Sequence, residues 1–269
     1  MQIMVKLAAT ITYKGSAYKG WQSQPHGNTI QQTLEKTLFQ ILRQPISTFV
    51  SGRTDSGVHA LAQVVHFDLP DELAKWMDKS KIAALPKLLY SLNECLPDDI
   101  LITRLKKVAA DFHAQKSAKK KTYCYYLYQS PFRHPFLQET HWQIPYHLDP
   151  KAMRVALKMI VGIHDFKSFC AQDATTKTTI RKIFKANLKI IKKGELFGQV
   201  ILEGDLWILT FEGSGFLKQM VRNLVGTLVN VARGNKTVDE FRDILKACDR
   251  TKAGMAAPAK GLFLMKVEY

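Results

Sequence analysis

The residues best suited to do chemistry lie in one short string, Ser51-Gly52-Arg53-Thr54-Asp55-Ser56-Gly57-Val58-His59-Ala60. Two glycines permit a tight, exposed loop. That loop displays a single carboxylate, Asp55, beside a single guanidinium, Arg53. One positioned carboxylate can serve as a nucleophile or move a proton. An isolated Asp-Ser-Gly is usually a plain turn, so the chemical reading rests on the whole ten-residue string. Asp55 and His59 together suggest metal ligands, but no third ligand follows at helpful spacing. The four cysteines, Cys95, Cys124, Cys170 and Cys248, are far apart and form no C-x-x-C pair, which argues against a zinc ribbon or a disulfide framework.

The elements that must position this loop follow from hydrophobic periodicity. Residues 5–13 read as a strand. Thr29 to Leu42 reads as a helix, with Thr29 and Gln32 forming a capping box. Strands are predicted near 46–51 and 62–69, a helix around 80–94 and a strand around 100–109. The second half repeats the order. A strand spans 120–129, and a helix opens at Asp149-Pro150. Strands lie near 180–191 and 199–211. A helix runs from Phe216 to Arg233, and a short one starts at Thr237, boxed by Glu240. The last strand covers Gly261 to Tyr269. Two β-α-β-β-α-β units predict an α+β protein of two ferredoxin-like halves. Residues 1–110 form the half that carries the Asp55 loop, and 111–269 the half that completes an active-site cleft. The halves are expected to join into one mostly antiparallel sheet, with helices on one face and a cleft on the other that, on a chain with 39 Lys and Arg against 23 acidic residues, suits RNA binding.

The 269 residues are 46% hydrophobic and 23% charged, the balance of a folded globule. Thirty-nine Lys and Arg oppose 23 acidic residues, for a net charge of +16. Such an excess attracts polyanions, and basic and aromatic residues are interleaved along the chain, so nucleic acid is the expected partner. Lys119-Lys120-Lys121 and the series Arg181, Lys182, Lys185, Lys189, Lys192, Lys193 are candidate phosphate contacts, although any one lysine is more simply a solvated surface residue. No run approaches the ~18 apolar residues of a membrane span. Met1-Gln2-Ile3-Met4-Val5-Lys6 lacks the pattern of a secretory signal, and a cytoplasmic location is expected.

The Asp55 string resembles the active-site loop of the tRNA pseudouridine synthase A family, and further blocks follow in order. They are Gly20-Trp21-Gln22-Ser23-Gln24-Pro25 with Thr29-Ile30-Gln31; Phe112-His113-Ala114 with Ser117-Ala118 and Lys121-Thr122-Tyr123-Cys124-Tyr125; His164-Asp165-Phe166-Lys167-Ser168-Phe169; Phe216 to Asn223; and Ala257-Pro258-Ala259-Lys260-Gly261-Leu262. The resemblance implies isomerisation of uridine to pseudouridine in the anticodon arm of tRNA, at positions 38 to 40, by a homodimer with no metal and no organic cofactor. It implies that Asp55 is the catalytic carboxylate, that Tyr123 stacks on the target uracil, and that Arg222 pairs with the carboxylate. Arg53 is expected to fill the space left by a flipped base, since a base inside a stem is unreachable without extrusion. Lys14, Gln115 and Met255-Ala256 depart from the family pattern and bear on substrate contacts rather than on the reaction. Three other readings are an RNA-binding protein without chemistry, a metal-dependent nuclease and a synthase acting on another RNA. The nuclease would want several clustered carboxylates, and the loop holds one.

Overall fold

The computed structural model describes residues 5–25, 27–70, 84–196 and 200–269. Met1 to Met4, the first residues of the helix expected around 80–94, and the start of the strand expected at 199 lie outside the described residues.

The chain forms two compact units. One holds the residues up to Lys119 together with Leu264–Tyr269, and the other holds Lys120–Phe263. In the first unit, β1 (Val5–Tyr13) pairs antiparallel with both β3 (His59–Leu69) and β4 (Ile100–Val108), and β2 (Phe49–Val50) adds to β3. The resulting order, fourth-first-third-second, is that of a ferredoxin-like sheet. Leu7, Ile11 and Tyr13 alternate into the core, as period-2 patterning requires. Helix α1 (Ile30–Leu42) buries Ile30, Leu34, Thr37 and Leu38, a stripe at helical spacing. Burying each of these leucines fully is worth about 1.5–3 kcal/mol. The hydroxyl of Thr29 accepts from Gln32 N–H, as a cap should. The Gln32 carboxamide, however, takes its bond from the Thr29 hydroxyl at 2.9 Å rather than from the backbone, so the box is only half formed. Helix α2 (Ala84–Cys95) packs on β4.

In the second unit, β5 (Lys120–Gln129) pairs antiparallel with β11 (Asp205–Gly213). That strand in turn pairs with β8 (Ile180–Ile191), so the first, third and second strands again lie in that order. Besides β9 (Glu195–Leu196), two more short strands among the described residues lie outside the expected ones. β6 (Trp142–Ile144) runs parallel to β5, and β7 (Gly162–Asp165) borders β8. Helix α3 (Pro150–Met159) starts on the Asp149 carboxylate, which accepts from Lys151 N–H at 2.7 Å. Helix α4 (Met220–Ala232) is buried on nearly every side, the mark of a core helix. Helix α5 (Val238–Ala247) carries the full capping box of Thr237 and Glu240.

Two expected elements are corrected. The helix expected from Phe216 begins four residues later, because Gln219 adopts a left-handed conformation (φ 59°) that cannot lie inside a helix. The strand expected at 199–211 is divided. β10 (Val200–Ile201) forms a hairpin with β9 (Glu195–Leu196), and β11 starts at Asp205. Gly204 marks the break: a Cβ there would stand 2.4 Å from the Gln129 carbonyl oxygen.

Candidate active site

The Asp55 loop joins β2 to β3, and its two ends are tied by the sheet itself, with Ser51 N–H donating to Val64 O at 2.8 Å. From below, the segment between β1 and α1 clamps it. Trp21 N–H donates to Thr54 O at 3.0 Å, Gly57 N–H donates to Tyr18 O at 3.3 Å, and Ser56 Oγ donates to the same Tyr18 carbonyl at 3.2 Å. Val58 N–H closes a turn on Asp55 O at 3.1 Å. Two glycines permit this close approach. Gly20, at φ 92°, would place a Cβ 2.8 Å from Thr54 O, and Gly15 would place one 2.1 Å from Val58 O. The Gly20-Trp21 block therefore has a local physical task, to seat the loop.

Within the loop the side chains divide by environment. Thr54 is buried, Asp55 is half-buried and Arg53 is exposed. An exposed guanidinium suits a residue that must enter a nucleic acid, and a half-buried carboxylate suits one that must be both oriented and reachable. His59 is only 1% exposed, and its Nδ1 accepts from Gly15 N–H at 3.0 Å. It is built into the support of the loop, which turns the metal-ligand reading of the Asp55/His59 spacing into a structural one.

Beneath the loop lies a buried polar network that sequence reasoning missed. Gln63, fully buried on β3, donates through Nε2 to Gly52 O at 2.8 Å and to the Tyr13 hydroxyl at 3.4 Å. Its Oε1 accepts from Ser51 Oγ at 2.7 Å and from Val64 N–H at 3.2 Å. The Tyr13 hydroxyl meets Thr54 Oγ1 at 2.8 Å. Burial pushes the Tyr13 phenol up to about 12. The available signal was a glutamine amid the otherwise apolar run Ala60 to Val65.

Tyr123 and Arg222 lie in the second unit, whereas Asp55 and Arg53 lie in the first. Tyr123 is on β5 opposite Phe211, buried, with its ring edge-on to Phe216 at 5.0 Å. Arg222 sits in the first turn of α4. Its Nε donates to Ala257 O at 2.8 Å, and its own carbonyl accepts from Ala257 N–H at 3.0 Å. Behind it, Arg250 reaches Asn223 Oδ1 at 3.0 Å and Gly254 O at 3.1 Å. A Cβ on Gly226 would stand 1.8 Å from Met255 O. The 254–258 segment and α4 are thus one rigid piece, and the Arg222 guanidinium is held in a fixed plane.

The basic residues are not equivalent. In the 119–121 run, Lys119 is exposed and Lys120 pairs with Glu212 at 3.4 Å. Lys121 is half-buried, which pushes its ammonium down to about 8. Along β8, Lys185 and Lys189 are exposed, while Lys192 pairs with Asp205 at 2.6 Å. Arg181 is turned back onto the Thr178 and Ile180 carbonyls. No group of three or more His, Cys, Asp or Glu side chains among the described residues is arranged to hold a metal ion. No helix there is long and apolar enough to cross a membrane.

Comparison with known proteins adds a family. A profile described as tRNA pseudouridine synthase matches residues 9–115 and 156–269. Asp55, Arg53 and Arg222 fall inside these stretches, and Tyr123 falls between them. Proteins named tRNA pseudouridine synthase A are similar over nearly the whole chain. That of Exiguobacterium sibiricum is 38% identical over 266 residues, 99% of this chain and 97% of its own length. That of a Thermoanaerobacter species is 38% identical, covering 99% and 100%. That of Streptococcus pneumoniae is 36% identical over 267 residues, covering 99% of both.

Proposed function

The chain belongs to the tRNA pseudouridine synthase family, isomerases that turn uridine into pseudouridine in tRNA, and from that premise we propose that Asp55 is its catalytic carboxylate and the anticodon arm, at positions 38 to 40, its target. The observation that carries the assignment of Asp55 is its setting: a half-buried carboxylate in a loop seated by backbone hydrogen bonds on both sides. Preorganisation of this kind is what a reacting group requires.

The reaction breaks the bond between C1′ and N1, rotates the base and forms a bond between C1′ and C5. The proton on C5 is lost and N1 gains one, so nothing is oxidised and no water is added. A carboxylate and a proton carrier are sufficient, and no organic cofactor is needed. Asp55 attacks the sugar, attacks the ring or removes a sugar proton, three roles that share the same need for an ionised acid. Arg53, exposed at the loop tip, occupies the space of the extruded base. Tyr123 stacks on the uracil, and Arg222 is the proposed ion-pair partner of the carboxylate. The net charge of +16 supports a polyanionic substrate. The same reading extends to a homodimer in the cytoplasm; four cysteines that form no disulfide fit a reducing compartment.

The test is Asp55→Asn, which keeps shape and removes charge. Pseudouridine formation is expected to fall to background while tRNA affinity is retained. A well-folded Asp55→Asn protein working at near-normal rate would overturn the assignment. Mapping pseudouridine in tRNA from cells with and without this protein tests the target positions.

A further inference from the structure

We infer that the Tyr13 and Gln63 side chains are positioning residues for Asp55, holding Thr54 through a chain of buried hydrogen bonds, so that they govern the rate of the chemical step and not the binding of tRNA. The inference rests on the assignment of Asp55 given above.

Donors and acceptors fix the Gln63 end of the chain. Val64 N–H needs an acceptor and Gly52 O needs a donor, so the Gln63 carboxamide has one permitted orientation, with Oε1 toward Val64 and Nε2 toward Gly52. Nε2 can only donate, so the Tyr13 oxygen accepts from it at 3.4 Å. The Tyr13 hydroxyl and Thr54 Oγ1 share the next bond at 2.8 Å, in which either oxygen can donate. A phenol pushed up to about 12 keeps its proton at working pH, so the bond is never lost to ionisation.

Its members are all inside: Gln63 and Ser51 are 0% exposed, Tyr13 2% and Thr54 7%. None of them is placed to touch a tRNA surface. Their contacts converge on the loop, gripping Ser51 at its hydroxyl, Gly52 at its carbonyl and Thr54 at its side chain. Trp21 N–H holds the Thr54 carbonyl at 3.0 Å, and the Trp21 ring packs against Tyr13 at 6.2 Å. The peptide leading into Asp55 is therefore fixed from two sides. A purely apolar core would fill the same volume. What polar groups add is a fixed orientation, which a group that must be aimed requires.

The experiment uses the full-length protein with tRNA, and three readouts: single-turnover rate of pseudouridine formation, tRNA Kd and thermal midpoint. Tyr13→Phe deletes one oxygen and leaves the ring on Trp21. Thr54→Val replaces the hydroxyl with a methyl of similar size. Each is expected to slow the chemical step about 10-fold or more, since a small misplacement of a reacting group is costly in rate. The Kd should stay within about twofold, because the groups touch no RNA. The double variant should be no slower than the slower single, as two groups acting through one bond require. Thr54→Ser should regain most of the rate lost in Thr54→Val.

A folded Tyr13→Phe protein at full rate overturns the inference, as do effects that multiply in the double variant. Should Tyr13→Phe not fold, equal rates for Thr54→Val and Thr54→Ser overturn it instead. Asp55→Asn run alongside separates the two readings. If it is inactive while Tyr13→Phe and Thr54→Val work at full rate, only this inference falls. If it is active, the assignment of Asp55 falls.

Discussion

Gly15 donates its N–H to Nδ1 of His59 at 3.0 Å, across the base of the Asp55 loop. The same glycine lies so near that a Cβ would stand 2.1 Å from the carbonyl oxygen of Val58. Both neighbours of the absent Cβ are backbone, so no rotamer change relieves the clash.

Gly15→Ala is therefore expected to lift the start of β3 away from the turn after β1. Overpacking of this kind costs about 1–3 kcal/mol, and each kcal/mol lowers Tm by roughly 2–4 °C in a protein of this size. Because the displaced strand begins at the Asp55 loop, turnover should fall more than stability. Thermal unfolding and a tRNA turnover assay check it, and an unchanged Tm would contradict the geometry.

Much of this arrangement was legible in the chain before the fold was seen. β1 and β8 have the bounds their alternation implies, and the Thr237/Glu240 box opens α5 as read. What was not legible depends on contacts distant in sequence. Gln219 and Gly204 set element ends through a left-handed residue and a close backbone approach, neither of which periodicity reports. At the site, Asp55 stands out through its whole ten-residue string and the family loop that string resembles, since glycines and one charge alone read as a plain turn. Tyr13 and Gln63 do not, since each looks like an ordinary strand residue until the fold joins positions 50 apart.

Binding of tRNA is expected to weaken steeply with salt, because +16 of net charge meets a polyphosphate and releases counterions. Lys185 and Lys189 are exposed on β8, whereas Lys192 and Lys120 already face carboxylates. A Lys185→Gln, Lys189→Gln double variant should reduce the slope of log Kd against log salt by about 1–2. Titrations at several salt concentrations test this, with Lys192→Gln as the comparison expected to do less.

Stability should fall on the acid side partly through His141. Burial lowers its pKa from 6.5 to about 4, so the folded protein keeps it neutral while the unfolded chain takes up a proton below 6.5. The unfolded state then binds more protons throughout the window from about 4 to 6.5. Stability accordingly rises with pH across that window and is lost on acidification. His141→Gln should flatten the slope of unfolding free energy against pH there. Urea unfolding between pH 4.5 and 7 measures it, and an unaltered slope would assign the acid sensitivity elsewhere.

Arg222→Lys tests whether the cation proposed to pair with Asp55 must be oriented or merely present. The Arg222 Nε is bonded to Ala257 O at 2.8 Å, and the Ala257 N–H returns a bond to the Arg222 carbonyl at 3.0 Å. Those two bonds, with Gly226 pressed beneath Met255 O, hold the guanidinium plane against α4. Lysine keeps the charge but is a point donor on a flexible stem, and it cannot reproduce a planar fork anchored at Nε. The variant should also leave the Ala257 carbonyl without its partner, lowering Tm by a few degrees at about 1 kcal/mol for a lost hydrogen bond. The single-turnover rate is expected to fall about 10- to 100-fold with little change in tRNA Kd, the pattern of an interaction that serves the transition state rather than binding. Arg222→Met, which also removes the charge, should fall further, because the proposed pairing with Asp55 then has no cation. A lysine variant that matches the native rate would show that charge alone suffices, and the anchoring of Arg222 to Ala257 would then be a matter of helix packing.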